Sequence, residues 1–418
     1  MIRRTLSGSP FRRLGGFALI PLIGAITPLF VLPAITSMHG AEGWAAIAIG
    51  QSIGGGASVL VELGWALNGP QLVARLIASE RTHAYVLSIV SKLLVYVVVG
   101  PLSAGVAFLL APENQTSAAL AAVATAALGL SPIWFFIGTG QPSRILYSDT
   151  LQRIALTAAS AGLLLIGLPL ITYPALALTS ALIAPFVGYM FVRRVSVTSH
   201  SVTLREIGST FRRQSTALLG RSISAIYISL PVAIVSIVSP NSVVVFAAAE
   251  RLQRMGLGVL QSFPNSLQGW VGSASDSQDA KRRLRKTLKW NLILGVVAGI
   301  GFASLGPLAS RIIFTGEATI PFELSALCGL VIFATCVSRA TGGLALVAYG
   351  RIASITVSAA VGGIVGILAI AFLSLFWGSV GAVLGEVAAE FSVLAVQIFL
   401  LRRVWKSQIR SYDEDEPN

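Results

Sequence analysis

Charge is what this sequence has least of. Only 11% of its 418 residues are Asp, Glu, Lys or Arg, against about a quarter in an ordinary soluble chain. So few charges cannot cover a water-soluble protein of this length, which excludes the soluble enzymes and carriers. Cysteine is nearly absent as well. Cys328 and Cys336 both lie inside one apolar segment and read as small packing residues, not as a disulfide or metal pair. The three histidines, His39, His83 and His200, are scattered over different loops. There is no HExxH, no CxxC, no nucleophile elbow and no Walker sequence, so no enzyme chemistry, metal or other cofactor is expected. The Gly-rich AIGQSIGGGAS at 48–58 sits within an apolar run, where glycines serve close helix packing and not a nucleotide loop.

What is abundant is apolar. Hydrophobic residues make up 55% of the chain and the mean hydropathy is +0.80. They come in runs of about 20, the length that crosses a hydrocarbon layer ~30 Å thick. Runs such as LTAASAGLLLIGLPLI do not alternate, which excludes a barrel. The fold class expected is an all-α polytopic membrane protein. Apolar segments fall near 15–36, 44–67, 85–110, 117–138, 154–173 and 175–192, then 215–238, 242–265, 290–312, 322–346, 352–375 and 379–401.

The net charge of +13 is a topology signal and not a nucleic-acid footprint. With twelve spans and a cytoplasmic N-terminus, the basic loops fall on one side, ending with Arg402, Arg403, Lys406 and Arg410. The opposite loops stay nearly free of basic residues, with only Arg311 close by. Both termini are therefore expected in the cytoplasm. The basic stretch 281–289 is expected to meet anionic headgroups. The organisation that follows is an N-terminal lobe at 1–192, a cytoplasmic connection at 193–214, a C-terminal lobe at 215–401 and a tail at 402–418. An even number of spans per lobe makes the two six-helix lobes parallel repeats.

A charge at bilayer depth is costly unless paired, hydrated or snorkelling. Lys92 and Arg221 lie near span ends and are expected to snorkel. FAAAERLQRMGLGVLQSFPNS at 246–266 is different, because at 1.5 Å per residue Arg251 falls near mid-membrane. Arg254 shares its face. Glu250 can offset one of the two, leaving a positive sum that suits an anionic or phosphorylated cargo. The competing reading is a structural salt-bridge cluster. Arg339 lies within the tenth span, and Glu62, Glu386 and Glu390 are the candidate ion-coupling carboxylates, the last two sharing a helix face.

Three stretches carry a family resemblance that covers about residues 14 to 400. GGFALIPLIGAITPLFVLPAITSMHGAEGWAAIAIGQSI resembles a first pair of spans with a Gly-bearing outer turn. SPIWFFIGTGQPSRI at 131–145 resembles a fourth span, and VFAAAERLQRMGLGVLQSFPNSLQ at 245–268 an eighth. Their order and spacing resemble the polysaccharide-transporter branch of the MOP exporter superfamily, which flips O-antigen and exopolysaccharide repeat units. Peptidoglycan-precursor flippases carry arginines in the first two helices; here only Arg12 and Arg13 stand at the first helix's inner end and Glu62 lies in the second.

The resemblance implies alternating access between two lobes in a bacterial cytoplasmic membrane. It implies a polyprenyl-pyrophosphate-linked oligosaccharide as cargo and a polysaccharide polymerase or assembly proteins as partners. Arg251 and Arg254 would hold the pyrophosphate, with Glu250 and Arg339 beside them, and Gln51, Asn68 and Trp134 would face the sugars, Trp134 reading equally as a packing residue. The alternative is an ion-coupled drug or metabolite exporter of the same superfamily, using Glu62, Glu386 and Glu390. A membrane polymerase is disfavoured by the short outer loops, and a non-transporting scaffold would use the charges only as glue between helices.

Overall fold

The computed structural model describes residues 30–193, 202–214, 229–261 and 277–414, with isolated positions between 263 and 271. Side chains are described to residue 404. Most of the expected first span, Arg12, Arg13, Arg221 and the 194–201 part of the connection lie outside the described residues. Every described element is helical. The chain forms two compact units, Met1–Ala225 and Ile226–Asn418.

In the first unit, α1 (Leu32–Glu62) is interrupted at Gly40, whose φ of 64° ends one helix and begins the next. Leu63 and Gly64, both left-handed, then divide α1 from α2 (Trp65–Arg75). After α3 (Ala78–Leu110) comes α4 (Gln115–Ala126). The sequence pattern treats 117–138 as one span. The structure instead breaks it with a 3₁₀ turn at Ala127–Leu130 and an extended Ser131, before Pro132 leads into α5 (Ile133–Gly138). The residue before a proline is pushed out of the helical region, which is the cause of the break. A short α6 (Pro142–Ile145) runs through a π-helical turn at Leu146–Thr150 into α7 (Leu151–Leu165), and α8 (Thr172–Arg193) follows.

The glycines of 48–58 do pack closely. A side chain at Gly50 would strike the Ala118 carbonyl, and one at Gly54 the Ala122 carbonyl, so α1 and α4 run side by side.

The second unit contains α9 (Pro231–Val238), α10 (Val243–Leu260), α11 (Ser277–Ile313), α12 (Phe322–Ala340), a π-helical turn at Thr341–Leu346 and α13 (Ile352–Glu414). α13 is two antiparallel arms. Gly378 adopts φ 55° at the turn. Beyond it Gly381 abuts Leu373, Gly385 abuts Ile370, Ala389 meets Gly366 and Val393 meets Gly362. One number rises as the other falls, so the arms form a hairpin that glycine allows to close tightly. α11 and α12 are likewise antiparallel, touching at Gly299 and Gly329.

The stretch 281–289, expected within a loop that carries a short interfacial helix, is instead the first part of α11. Leu284 and Leu288 bury against Leu400 and Leu401, and Asp279 near the helix start pairs with Arg282 and Arg283.

Among the described residues seven helical stretches are long and apolar enough to cross a membrane, and the longest, Ala353–Val404, contains the hairpin. Their outward faces are apolar, as at Val97, Leu109, Val297 and Leu368. The chain is a multi-pass α-helical membrane protein.

Candidate functional site

The embedded charges of the second unit meet at α10. Glu250 lies one helical turn before Arg254 and pairs with it at 2.5 Å. The two are unequally placed: the Glu250 side chain is 11% exposed and that of Arg254 37%. Gln253, buried beside them, donates from Nε2 to Glu386 Oε2 at 3.3 Å, which brings α13 onto α10. Glu386 is itself buried. One turn further along α13, Glu390 interacts with Thr335 and Arg339 of α12. Arg339 Nη1 donates to the Leu257 carbonyl at 2.9 Å and so ties α12 to α10. Arg251 is half-buried on the same helix.

The structure thus brings together Glu250, Arg254, Glu386, Glu390 and Arg339, with Arg251 adjoining. The positive local sum expected from α10 alone does not survive. Glu386 and Glu390 arrive from α13, so three glutamates stand with three arginines. What distinguishes the signs is depth, with Glu250 and Glu386 inside and Arg254 outside.

A second polar layer went unread in the sequence. Thr341 Oγ1 donates to Gln397 Oε1 at 2.5 Å and Ser338 Oγ does so at 3.2 Å, while Gln397 Nε2 donates to Ser358 Oγ at 3.4 Å. Thr341 opens the π-helical turn, an irregularity that frequently marks function. The available signal was spacing: Gln253 lies three residues after Glu250, and Gln397 falls on the face of Glu386 and Glu390.

The first unit holds a different cluster. Lys92 does not snorkel. It is fully buried, its Nζ donating to the Ser131 carbonyl at 3.3 Å and standing 5.9 Å from the centre of the Trp134 ring. The break before Pro132 makes this possible, because it frees the Ser131 carbonyl from the helical ladder. Ser131 Oγ also donates to Asp149 Oδ1 at 3.1 Å. Asp149 is buried on the π-helical turn and pairs with Arg153 at 3.3 Å. Neither Ser131 nor Asp149 was singled out in the sequence.

Trp134 is packed within the unit. Its ring lies buried 4.9 Å from that of Trp65, over Gly69, where any side chain would collide with it. Gln51 donates to the Tyr173 hydroxyl at 2.9 Å, and Asn68 to Gln214 Oε1 at 3.2 Å. Glu62 accepts from the Ala66 amide at 3.0 Å, satisfying a free donor in the first turn of α2. Gln51, Asn68 and Trp134 therefore serve three separate contacts. Among the described residues no group of three or more His, Cys, Asp or Glu is placed to hold a metal ion.

No family model and no curated protein matches the sequence. Solved structures do match, over nearly the whole length. An inward-facing multidrug-resistance MATE family transporter of the MOP superfamily has a TM-score of 0.66 at 14% identity, covering 95% of this chain and 96% of the other. A MATE protein in a bent conformation gives 0.57 at 13% identity, over 96% and 97%. A MOP superfamily transporter from Pyrococcus furiosus, for which a binding pocket of reverse polarity suggests a different function, gives 0.55 at 13% identity, over 95% and 96%. Identity this low speaks to fold alone, and the fold of this chain is that of the MATE transporters of the MOP superfamily.

Proposed function

We propose that the chain is a membrane transporter working by alternating access, and that it flips a polyprenyl-pyrophosphate-linked oligosaccharide across a bacterial cytoplasmic membrane for surface polysaccharide synthesis. The observation that carries this reading is the order of charges on α10, with the Arg254 guanidinium outermost and its Glu250 partner behind it. A site built this way offers a cargo rigid, forked donors, which suit phosphate oxygens. Buried Glu250 sets the guanidinium's orientation, and Arg251 supplies a second cation three residues earlier. The three sequence stretches resembling repeat-unit flippases support the same cargo. The polar ladder through Gln397 gives α12 and α13 a fixed register on which the site rests.

The test is translocation in proteoliposomes. Wild type moves a lipid-linked repeat unit, and Arg254→Gln loses that movement while remaining abundant in the membrane. Undiminished flipping by Arg254→Gln would overturn the electrostatic account.

A second reading, an ion-coupled drug or metabolite exporter, is favoured by one observation. Glu386 is buried and its side-chain hydrogen bond comes from a neutral amide, that of Gln253, a setting suited to a carboxylate that takes up and releases a proton or small cation. Under this reading Glu386→Gln abolishes pH-driven export of a cationic dye, and the lipid-linked sugar is not moved at all.

A further inference from the structure

The basic end of the second unit, expected on the cytoplasmic side, is used by neither reading of the transported cargo. Arg351 precedes α13 and Arg403 stands near its far end. Because α13 doubles back at Gly378, both line one cavity of about 310 Å³ together with Ser354, Leu400 and Val404. Among the described residues neither guanidinium has a carboxylate partner, and the Ser354 hydroxyl has no hydrogen bond. Arg403 lies 4.4 Å over the ring of Phe399, which is exposed. The cavity therefore combines two cations and a hydroxyl donor with an apolar wall.

A second observation comes from the start of α11. Leu284 and Leu288 join Leu400 and Leu401 in one apolar cluster beside that cavity. Arg285, Lys286 and Lys289 stay exposed and have no acidic partner among the described residues. Their face of the helix continues, at helical spacing, into exposed Ile293, Val297 and Ile300. A row of cations running directly into a hydrocarbon-facing stripe lies at headgroup height by construction.

We propose that this end of the unit is a binding site for an anionic glycerophospholipid. The lipid phosphate sits between Arg351 and Arg403 and accepts from Ser354, and an acyl chain runs along Phe399 and Leu400. Arg285, Lys286 and Lys289 hold neighbouring anionic headgroups. Guanidinium forks match phosphate oxygens in pairs, while the lysines act as point charges. The site is separate from the α10 charges, so its test does not depend on what the protein transports.

The experiment is native mass spectrometry of the full chain, purified with equal amounts of phosphatidylglycerol and phosphatidylcholine. Wild type retains phosphatidylglycerol selectively. The double variant Arg351→Gln with Arg403→Gln binds it roughly thirtyfold more weakly, from two cations at a headgroup. The charge-conserving pair Arg351→Lys with Arg403→Lys keeps most of the selectivity, which separates lost charge from lost fold. Three results would each overturn the proposal: equal retention of phosphatidylcholine, full selectivity in the glutamine pair, or displacement of phosphatidylglycerol by an equimolar polyprenyl phosphate, which would make this a cargo site.

Discussion

Lys92 in the first unit and Arg254 in the second are both basic groups within apolar helices, and the two units treat them in opposite ways. Lys92 is sealed under Trp134, with a backbone carbonyl as its hydrogen-bond partner. Arg254 keeps more than a third of its side chain open above a buried glutamate. In the first unit the chain bends to reach the cation, through the break before Pro132 and the π-helical turn that carries Asp149. In the second, α10 runs unbroken from Val243 to Leu260 and presents its charges by helical spacing alone. A displayed arginine suits a group that meets cargo. A sealed lysine, bonded to a carbonyl of another segment, suits a group that holds helices together.

The largest effect separating the two is expected from charge reversal on the displayed side. Arg254→Glu places a carboxylate one turn from Glu250 and should reduce transport by roughly a hundredfold or more, the scale of a lost charge-assisted contact plus repulsion. Transport assayed at matched membrane abundance measures it, and a loss under threefold would show that Arg254 does not face cargo. Next comes the scaffold beneath the site. Gly385→Val forces a branched side chain into the backbone of Ile370 across the α13 hairpin, at a cost of about 1–3 kcal/mol. A lowered thermal midpoint in detergent, with Glu386 displaced, is the expected result; an unchanged midpoint would mean the arms are not in tight contact.

These positions also show how far the sequence was legible. The helical class and the turns at Gly40 and Gly378 follow from apolar run lengths and from glycine between them. Glu250, Arg251 and Arg254 stood out because charge in an apolar run is costly wherever the fold puts it. The balance of charge was not legible, since Glu386 comes to Gln253 from more than a hundred residues away. The snorkelling expected of Lys92 failed because the broken helix at Ala127–Leu130 delivers a carbonyl to it, which residue counting cannot foresee. Trp134 was given to the sugars by the family resemblance alone; its contacts with Trp65 and Gly69 come from residues some seventy positions away and were not legible.

Lys92→Met sharpens the comparison from the other side. It removes a buried cation and keeps the side chain's volume, so the protein should be as stable as the wild type or more stable by about 1–2 kcal/mol, with a midpoint that does not fall. The thermal midpoint decides it. Lower stability would show that the bond to Ser131 outweighs the cost of burial, and that the sealed lysine belongs to the scaffold.

The smallest effect is expected at the edge of the first unit, in the helical stretch 204–214. Glu206 accepts from the Thr203 amide and hydroxyl, both at 2.8 Å, and from His83 at 3.0 Å. These bonds, the Thr203 amide foremost, hold its carboxyl below the usual carboxylate range. A group lowered in the folded state contributes above its unfolded pKa and loses that contribution as pH falls through the folded value. Protection factors of the amides of residues 204–214, corrected for the intrinsic pH dependence of exchange, should accordingly be larger at neutral pH than in acid below the usual carboxylate range, and Glu206→Gln should remove the difference. Because the Glu206 side chain is partly exposed, solvent screening keeps the contribution small. An effect of this variant on transport as large as that of Arg254→Glu would overturn the division between a displayed site in the second unit and supporting contacts in the first.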